Sequence, residues 1–108
     1  MPRKLLSSDI VPSLVEERLA TWGRAIRTQR LRQRLKATDL CARIDISRAT
    51  LSRLESGDPA VNVAAYLGAF LVLGILDDAM PPLDALLWSG DEKGRVKARS
   101  EEGADDYF

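Results

Sequence analysis

Apolar residues from Leu14 to Leu35 return at intervals close to the period of an α-helix with one buried face, although the stripe is imperfect. Pro12 and Ser13 mark a helix start, and Gly23 interrupts the pattern, as at a kink or a close contact. The pattern predicts a long first helix, whose apolar stripe is Leu14, Leu19, Trp22, Ile26, Leu31 and Leu35.

Two short helical segments follow, over residues 38–44 (TDLCARI) and 47–57 (SRATLSRLESG). Ser47 is a typical N-cap, since its hydroxyl can accept a hydrogen bond from an unpaired backbone N–H. Gly57 can take the left-handed conformation that closes a helix. Two short helices joined by so short a turn form a helix-turn-helix, with a predicted core of Leu40, Ile44, Ile46, Leu51 and Leu54.

The second of these helices has a polar face with two arginines and small residues. Arg48 lies one turn before Ser52, and Ala49 lies one turn before Arg53. Small residues allow a close approach to DNA, and arginine can donate two hydrogen bonds to guanine O6 and N7. Such a face alone is more often merely solvated, but the preceding helix and the short turn favour a recognition helix.

The remaining apolar positions predict further helices. Asn62 begins a helix over residues 63–73 that Gly74 ends, and a short helix follows around residues 76–80. A helix apolar on so many sides needs two neighbours: the first helix, and either the fifth helix or a second subunit. After Pro81-Pro82, one amphipathic turn forms either a partner surface or the end of the core, through Leu83, Leu86, Leu87 and Trp88.

These elements predict an all-α fold, a compact five-helix domain with an extended first helix. The 108 residues suit one domain. We expect a flexible arm over residues 1–12, the helix-turn-helix domain over residues 13–88, and a charged tail over residues 89–108. The tail is too polar to fold alone, so it is either disordered or folds on a partner.

The net charge of zero hides an uneven distribution. Residues 1–36 carry +6, residues 58–90 carry −4 without any Lys or Arg, and residues 91–108 carry −2. The basic part can therefore face a polyanion, while the acidic part faces away or binds a basic partner.

Several function classes find no support in the sequence. No apolar run approaches a membrane span, and the N-terminus lacks the features of a secretory signal. The single cysteine, Cys41, suits a small core position in a reducing cytoplasm. Without histidine, metal clusters or phosphate loops, we expect no catalytic residues, no metal, no cofactor and no enzymatic activity.

The segment RTQRLRQRLKATDLCARIDISRATLSRLESG resembles the DNA-binding domain of the Xre/Cro-like phage-repressor family. Lys36 and Ala37 stand where the family usually has Thr and Gln, and Asp45 replaces the usual turn Gly. Asp tolerates the left-handed conformation better than most residues. The matching positions are Leu35, Leu40, Ile46, Ser47, Leu51, Ser52, Glu55 and Gly57.

We expect the third helix to enter the major groove. The predicted base contacts are Arg48 and Arg53, supported by Ser47, Ala49 and Ser52. The resemblance implies phosphate contacts from Thr50, Lys36 and Ala37, and general attraction to phosphates is expected from Arg27, Arg30 and Arg34. One such helix buries too little surface for tight binding, so we expect a homodimer on an inverted-repeat operator.

The later segments VNVAAYLGAFLVLGILDD and the charged tail look similar to HipB-like antitoxins. That resemblance implies a repressor of its own operon that holds a HipA-like kinase toxin. A stand-alone Xre-type repressor is the alternative, and a protein-interaction module that no longer binds DNA is a third possibility.

Overall fold

A computed structural model describes residues 12–90, and this part of the chain is helical with no strand in it. The prediction of an all-α fold is confirmed. The predicted arm up to residue 11 and the tail from residue 91 lie outside the described residues. The elements are α1 (Ser13–Arg32), α2 (Ala37–Ile44), α3 (Arg48–Glu55), α4 (Val63–Leu73), α5 (Leu76–Ala79) and a 3₁₀ turn (Ala85–Leu87). Within residues 12–90, none of these helices is long and apolar enough to cross a membrane.

Several helix ends fall where the local sequence signals predict them, although α1 ends at Arg32, before the end of its predicted stripe at Leu35. The backbone N–H of Thr50 donates to Ser47 Oγ at 3.0 Å, which caps α3. Asn62 caps α4 in the same way. Asp45 ends α2 in the left-handed region (φ 57°, ψ 55°), and Gly74 ends α4 at φ 79°. The starts of α3 and α4 are therefore set by a local hydrogen bond, and the ends of α2 and α4 by a local backbone conformation.

Helix α4 lies at the centre of the core, between α1, α2 and α5. Tyr66 and Phe70 are fully buried on it. The Trp22 ring of α1 packs edge-on against Phe70, with centroids 5.5 Å apart and an interplanar angle of 88°. The chain itself thus supplies neighbours on three sides of α4, while Val63 and Leu71 of this helix remain exposed. The buried core is Ile26, Leu40, Cys41, Leu51, Leu54, Val61, Ala65, Tyr66, Ala69, Phe70 and Leu73.

Helices α1 and α3 meet backbone to backbone. A Cβ on Gly23 would lie 2.6 Å from the carbonyl oxygens of Leu54 and Glu55. A Cβ on Gly57 would lie 2.6 Å from the Cα of Ala20, and Gly57 also has a φ of +82°. Gly23 therefore marks a close contact inside one continuous helix, and the pair of glycines fixes how α3 sits on α1.

Some apolar residues lie outside the core. Leu14 and Leu31 of the predicted α1 stripe are exposed. The amphipathic turn near residue 85 is not the end of the core, because its four large apolar side chains are between 66% and 77% exposed. Local hydrogen bonds stabilise this turn, such as Trp88 Nε1 donating to the Leu83 carbonyl at 3.2 Å.

We expect Gly23→Ala to lower the free energy of unfolding by about 1–3 kcal/mol, since the new methyl group meets fixed carbonyls. Gly68→Ala is the matched control in a helix interior. Its Cβ would approach only the Ile44 side chain, at 3.3 Å, so the helix-propensity gain of about 1 kcal/mol should offset that contact. Urea unfolding of both variants checks this, and equal losses would contradict it.

Candidate nucleic-acid interface

Helix α3 has two unlike faces. Leu51 and Leu54 are buried against the core. Arg48, Ser52 and Arg53 are exposed along the opposite side of the helix, together with Ala49 and with Ser47 at its N-cap. All the residues predicted to contact bases therefore lie on solvent-accessible positions of one short helix.

A cleft of about 160 Å³ runs beside this exposed face and joins three helices. Arg27 of α1, Ala37 of α2 and the pair Arg48 and Ser52 of α3 line it. The fold thus brings two predicted base-contacting residues beside three predicted phosphate-contacting ones, of which Arg30 is the third. Arg30, Leu51 and Glu55 form the remainder of its lining.

Other candidates lie outside the cleft. Lys36 is exposed at the N-cap of α2, next to Ala37. Arg34 is exposed in the turn between α1 and α2, where it has a positive φ of 58°. Both remain candidates for attraction to phosphates.

Arg30 is not available to DNA, and its predicted role as a phosphate contact is wrong. Its side chain is only 9% exposed, and it packs against the equally buried Glu55. Nε donates to Glu55 Oε2 at 2.8 Å and Nη2 donates to Oε1 at 3.3 Å, while Nη1 donates to the Leu35 carbonyl at 3.3 Å. The hydrogen bond to Glu55 raises the pKa of Arg30. All three nitrogens are engaged inside the protein.

Arg27 approaches the same carboxylate, that of Glu55, from a more exposed position. Its Nη1 is 3.7 Å from Glu55 Oε1, and its side chain is 59% exposed. It therefore keeps donors free for a phosphate while its position beside α3 is guided by Glu55. From the sequence, Glu55 is identified only as a position that matches the family pattern. Its pairing with Arg30 could not be predicted, because a partner 25 residues away leaves no local signal.

A second hydrogen-bond network runs along α3 from its N-cap to its last turn. Arg53 Nη2 donates to Thr50 Oγ1 at 3.3 Å, and Ser47 Oγ donates to the same oxygen at 3.0 Å. Since Thr50 Oγ1 accepts both bonds, its own proton is free for a phosphate oxygen. Arg53 Nε also lies 3.9 Å from Asp58 Oδ2. Arg48, in contrast, makes no ion pair or hydrogen bond through its side chain within residues 12–90.

A family model described as a helix-turn-helix domain matches residues 22–83, which is more than half of the chain. This chain belongs to that helix-turn-helix family. In it, α2 and α3 are the two helices of the motif, and Asp45 begins the turn between them. No curated protein and no solved structure matches the chain.

Membership of the helix-turn-helix family supports DNA binding and a role in transcription regulation. Within residues 12–90 no group of three or more His, Cys, Asp or Glu side chains is placed to hold a metal ion. The chemistry at the helix-turn-helix is instead that of hydrogen-bond donors and positive charge.

Glu55→Gln should destabilise the domain by roughly 3–5 kcal/mol, because it leaves the Arg30 charge buried without its counter-charge. Arg27→Ala removes the exposed partner of the same carboxylate and should cost less than about 1 kcal/mol. Chemical denaturation measures both variants.

The double variant Arg30→Met/Glu55→Leu separates packing from charge. We expect it to recover most of the stability, since an apolar pair can replace a buried ion pair. A double variant as unstable as Glu55→Gln would instead assign the loss to shape.

Proposed function

We propose that this protein is a sequence-specific transcriptional repressor that reads the major groove with the exposed face of α3. The observation that carries the proposal is the grouping of Arg48 and Ser52 with Arg27 and Ala37 around one cleft. Base-reading and phosphate-contacting donors on neighbouring helices are what a helix-turn-helix requires.

Arg48 and Arg53 read guanines in this proposal, and Ser47, Ala49 and Ser52 line the approach to the bases. Thr50, Lys36, Ala37, Arg27 and Arg34 contact or attract phosphates. Helix α2 starts without a side-chain cap, so its first backbone N–H groups can donate to a phosphate oxygen. This supports the phosphate role of Ala37 although its side chain has no donor.

The active form is a homodimer on an inverted repeat. A single eight-residue recognition helix covers too little DNA for specific binding at physiological salt. Two copies with half-sites about one helical turn apart would double the readout.

The finer proposal is that the repressor is the autoregulating antitoxin of a HipA-like kinase. The exposed apolar turn near residue 85 supports a further protein partner. A stand-alone repressor remains the alternative, as does an interaction module without DNA binding. Co-purification with the product of an adjacent kinase gene separates the antitoxin from the stand-alone repressor.

The first experiment is selection of duplexes from a random library by the full chain, with DNA upstream of its own gene as a second probe. We expect a preference of roughly a thousandfold or more over random DNA. The affinity should also fall steeply with salt as counterions are released. Weak, salt-insensitive binding with no selected sequence would favour the interaction module.

Arg48→Ala should relax the preference at one base pair in each half-site, with a loss of about 1–3 kcal/mol of discrimination. Arg34→Ala should weaken binding to cognate and random DNA alike and flatten the salt dependence. Competition titrations at several salt concentrations measure both. If the two variants act identically on cognate and random duplexes, Arg48 does not read a base.

A further inference from the structure

We propose that Asp58 is a positioning residue that holds Arg53 in a fixed orientation, so that Arg53 is a stricter reader of guanine than Arg48. The inference rests on the proposed function of α3 as a recognition helix. It adds a residue outside the helix-turn-helix motif to the determinants of sequence specificity.

Asp58 is itself held in place from several sides. Its backbone N–H donates to the Arg53 carbonyl at 3.0 Å, and its carbonyl accepts the Tyr66 hydroxyl at 2.9 Å. Its Oδ1 accepts the backbone N–H of Ala60 at 2.8 Å, which closes an Asx turn. Burial raises the pKa of the Tyr66 hydroxyl to about 12, which extends its range as a donor to higher pH. The carboxylate is therefore fixed, with Oδ2 left to face Arg53.

The Arg53 side chain is held at two points of its guanidinium group. Nε faces Asp58 Oδ2 at 3.9 Å, and Nη2 donates to Thr50 Oγ1 at 3.3 Å. Thr50 is one turn nearer the N-terminus of α3, so the side chain runs back along the helix, as long side chains on helices do. These contacts leave the Nη1 amino group and one Nη2 hydrogen free. That pair of donors suits the O6 and N7 acceptors of guanine.

Arg48 offers the contrast within the same helix. It is exposed and has no side-chain partner among residues 12–90, so binding a base must first restrict all its rotamers. The Arg53 side chain is 55% exposed and already directed by its contacts. Preorganisation reduces the ordering cost for the correct base and penalises a base that needs another orientation.

A surface ion pair of this length contributes little to the free energy of unfolding. The positioning role of Asp58 therefore has to be tested by DNA binding. Asp58→Asn is the informative variant, because the amide oxygen can still accept the Ala60 N–H while the negative charge is lost. Asp45→Asn is the matched control. It removes the same charge from an exposed left-handed position that Asn also tolerates.

The readout is the affinity of each full-length variant for the selected duplex and for its single-base substitutions, at one salt concentration. We expect Asp58→Asn to lose about threefold to tenfold of discrimination at the Arg53 base pair of each half-site. Its affinity for random DNA should be unchanged or higher, since one negative charge near the phosphates is gone. Asp45→Asn should leave every base preference as it is.

A double-mutant cycle separates positioning from a general effect. In an Arg53→Ala background, Asp58→Asn should no longer change discrimination at that base pair. Equal effects with and without Arg53, or a loss spread over all base pairs, would overturn the inference.

The same experiment distinguishes this inference from the proposed function. Wild-type protein that selects a sequence, while Asp58→Asn keeps every base preference, overturns the role of Asp58 alone. Wild-type protein that selects no sequence overturns both.

Discussion

Glu55 is an acidic side chain with almost no solvent around it, and the position of α3 depends on how its charge is balanced. Arg30 of α1 forms an ion pair with Glu55 through two hydrogen bonds. Gly23 lets the backbones of α1 and α3 come into direct contact beside it. An eight-residue helix is marginal alone. Its orientation therefore comes from this junction, where charge pairing and the absence of a Cβ act on the same few residues.

The junction also divides the arginines of α1 by their role. Arg30 and Arg27 are three positions apart and both approach Glu55, yet one is buried and the other is largely exposed. The buried Arg30 donates its hydrogen bonds within the protein, while the exposed Arg27 keeps donors for a ligand. Two arginines of the same helix thus differ in role, because burial decides which of these charges is accessible to a ligand.

Local features of the fold could be predicted from the sequence, and long-range ones could not. Ser47, Asn62 and Asp45 act through atoms within a few residues, so their caps and turns follow from residue type. The partner of Arg30 is 25 residues away, and nothing in the spacing separates it from its neighbouring arginines. The contact of Arg53 with Asp58 could not be predicted for a similar reason, because it forms only when the chain turns back after Gly57.

The exposed face of α3 takes almost no part in the packing of the domain. Arg48 and Ala49 contribute no core surface, so substitutions there should leave the stability of the fold unchanged; under the proposed function, they are the positions at which the recognised DNA sequence can change. Such a separation lets related regulators diverge in the operators they bind without first acquiring a new scaffold. Arg53 differs from these two residues, because its side chain has intramolecular partners in Thr50 and Asp58 that a replacement would lose.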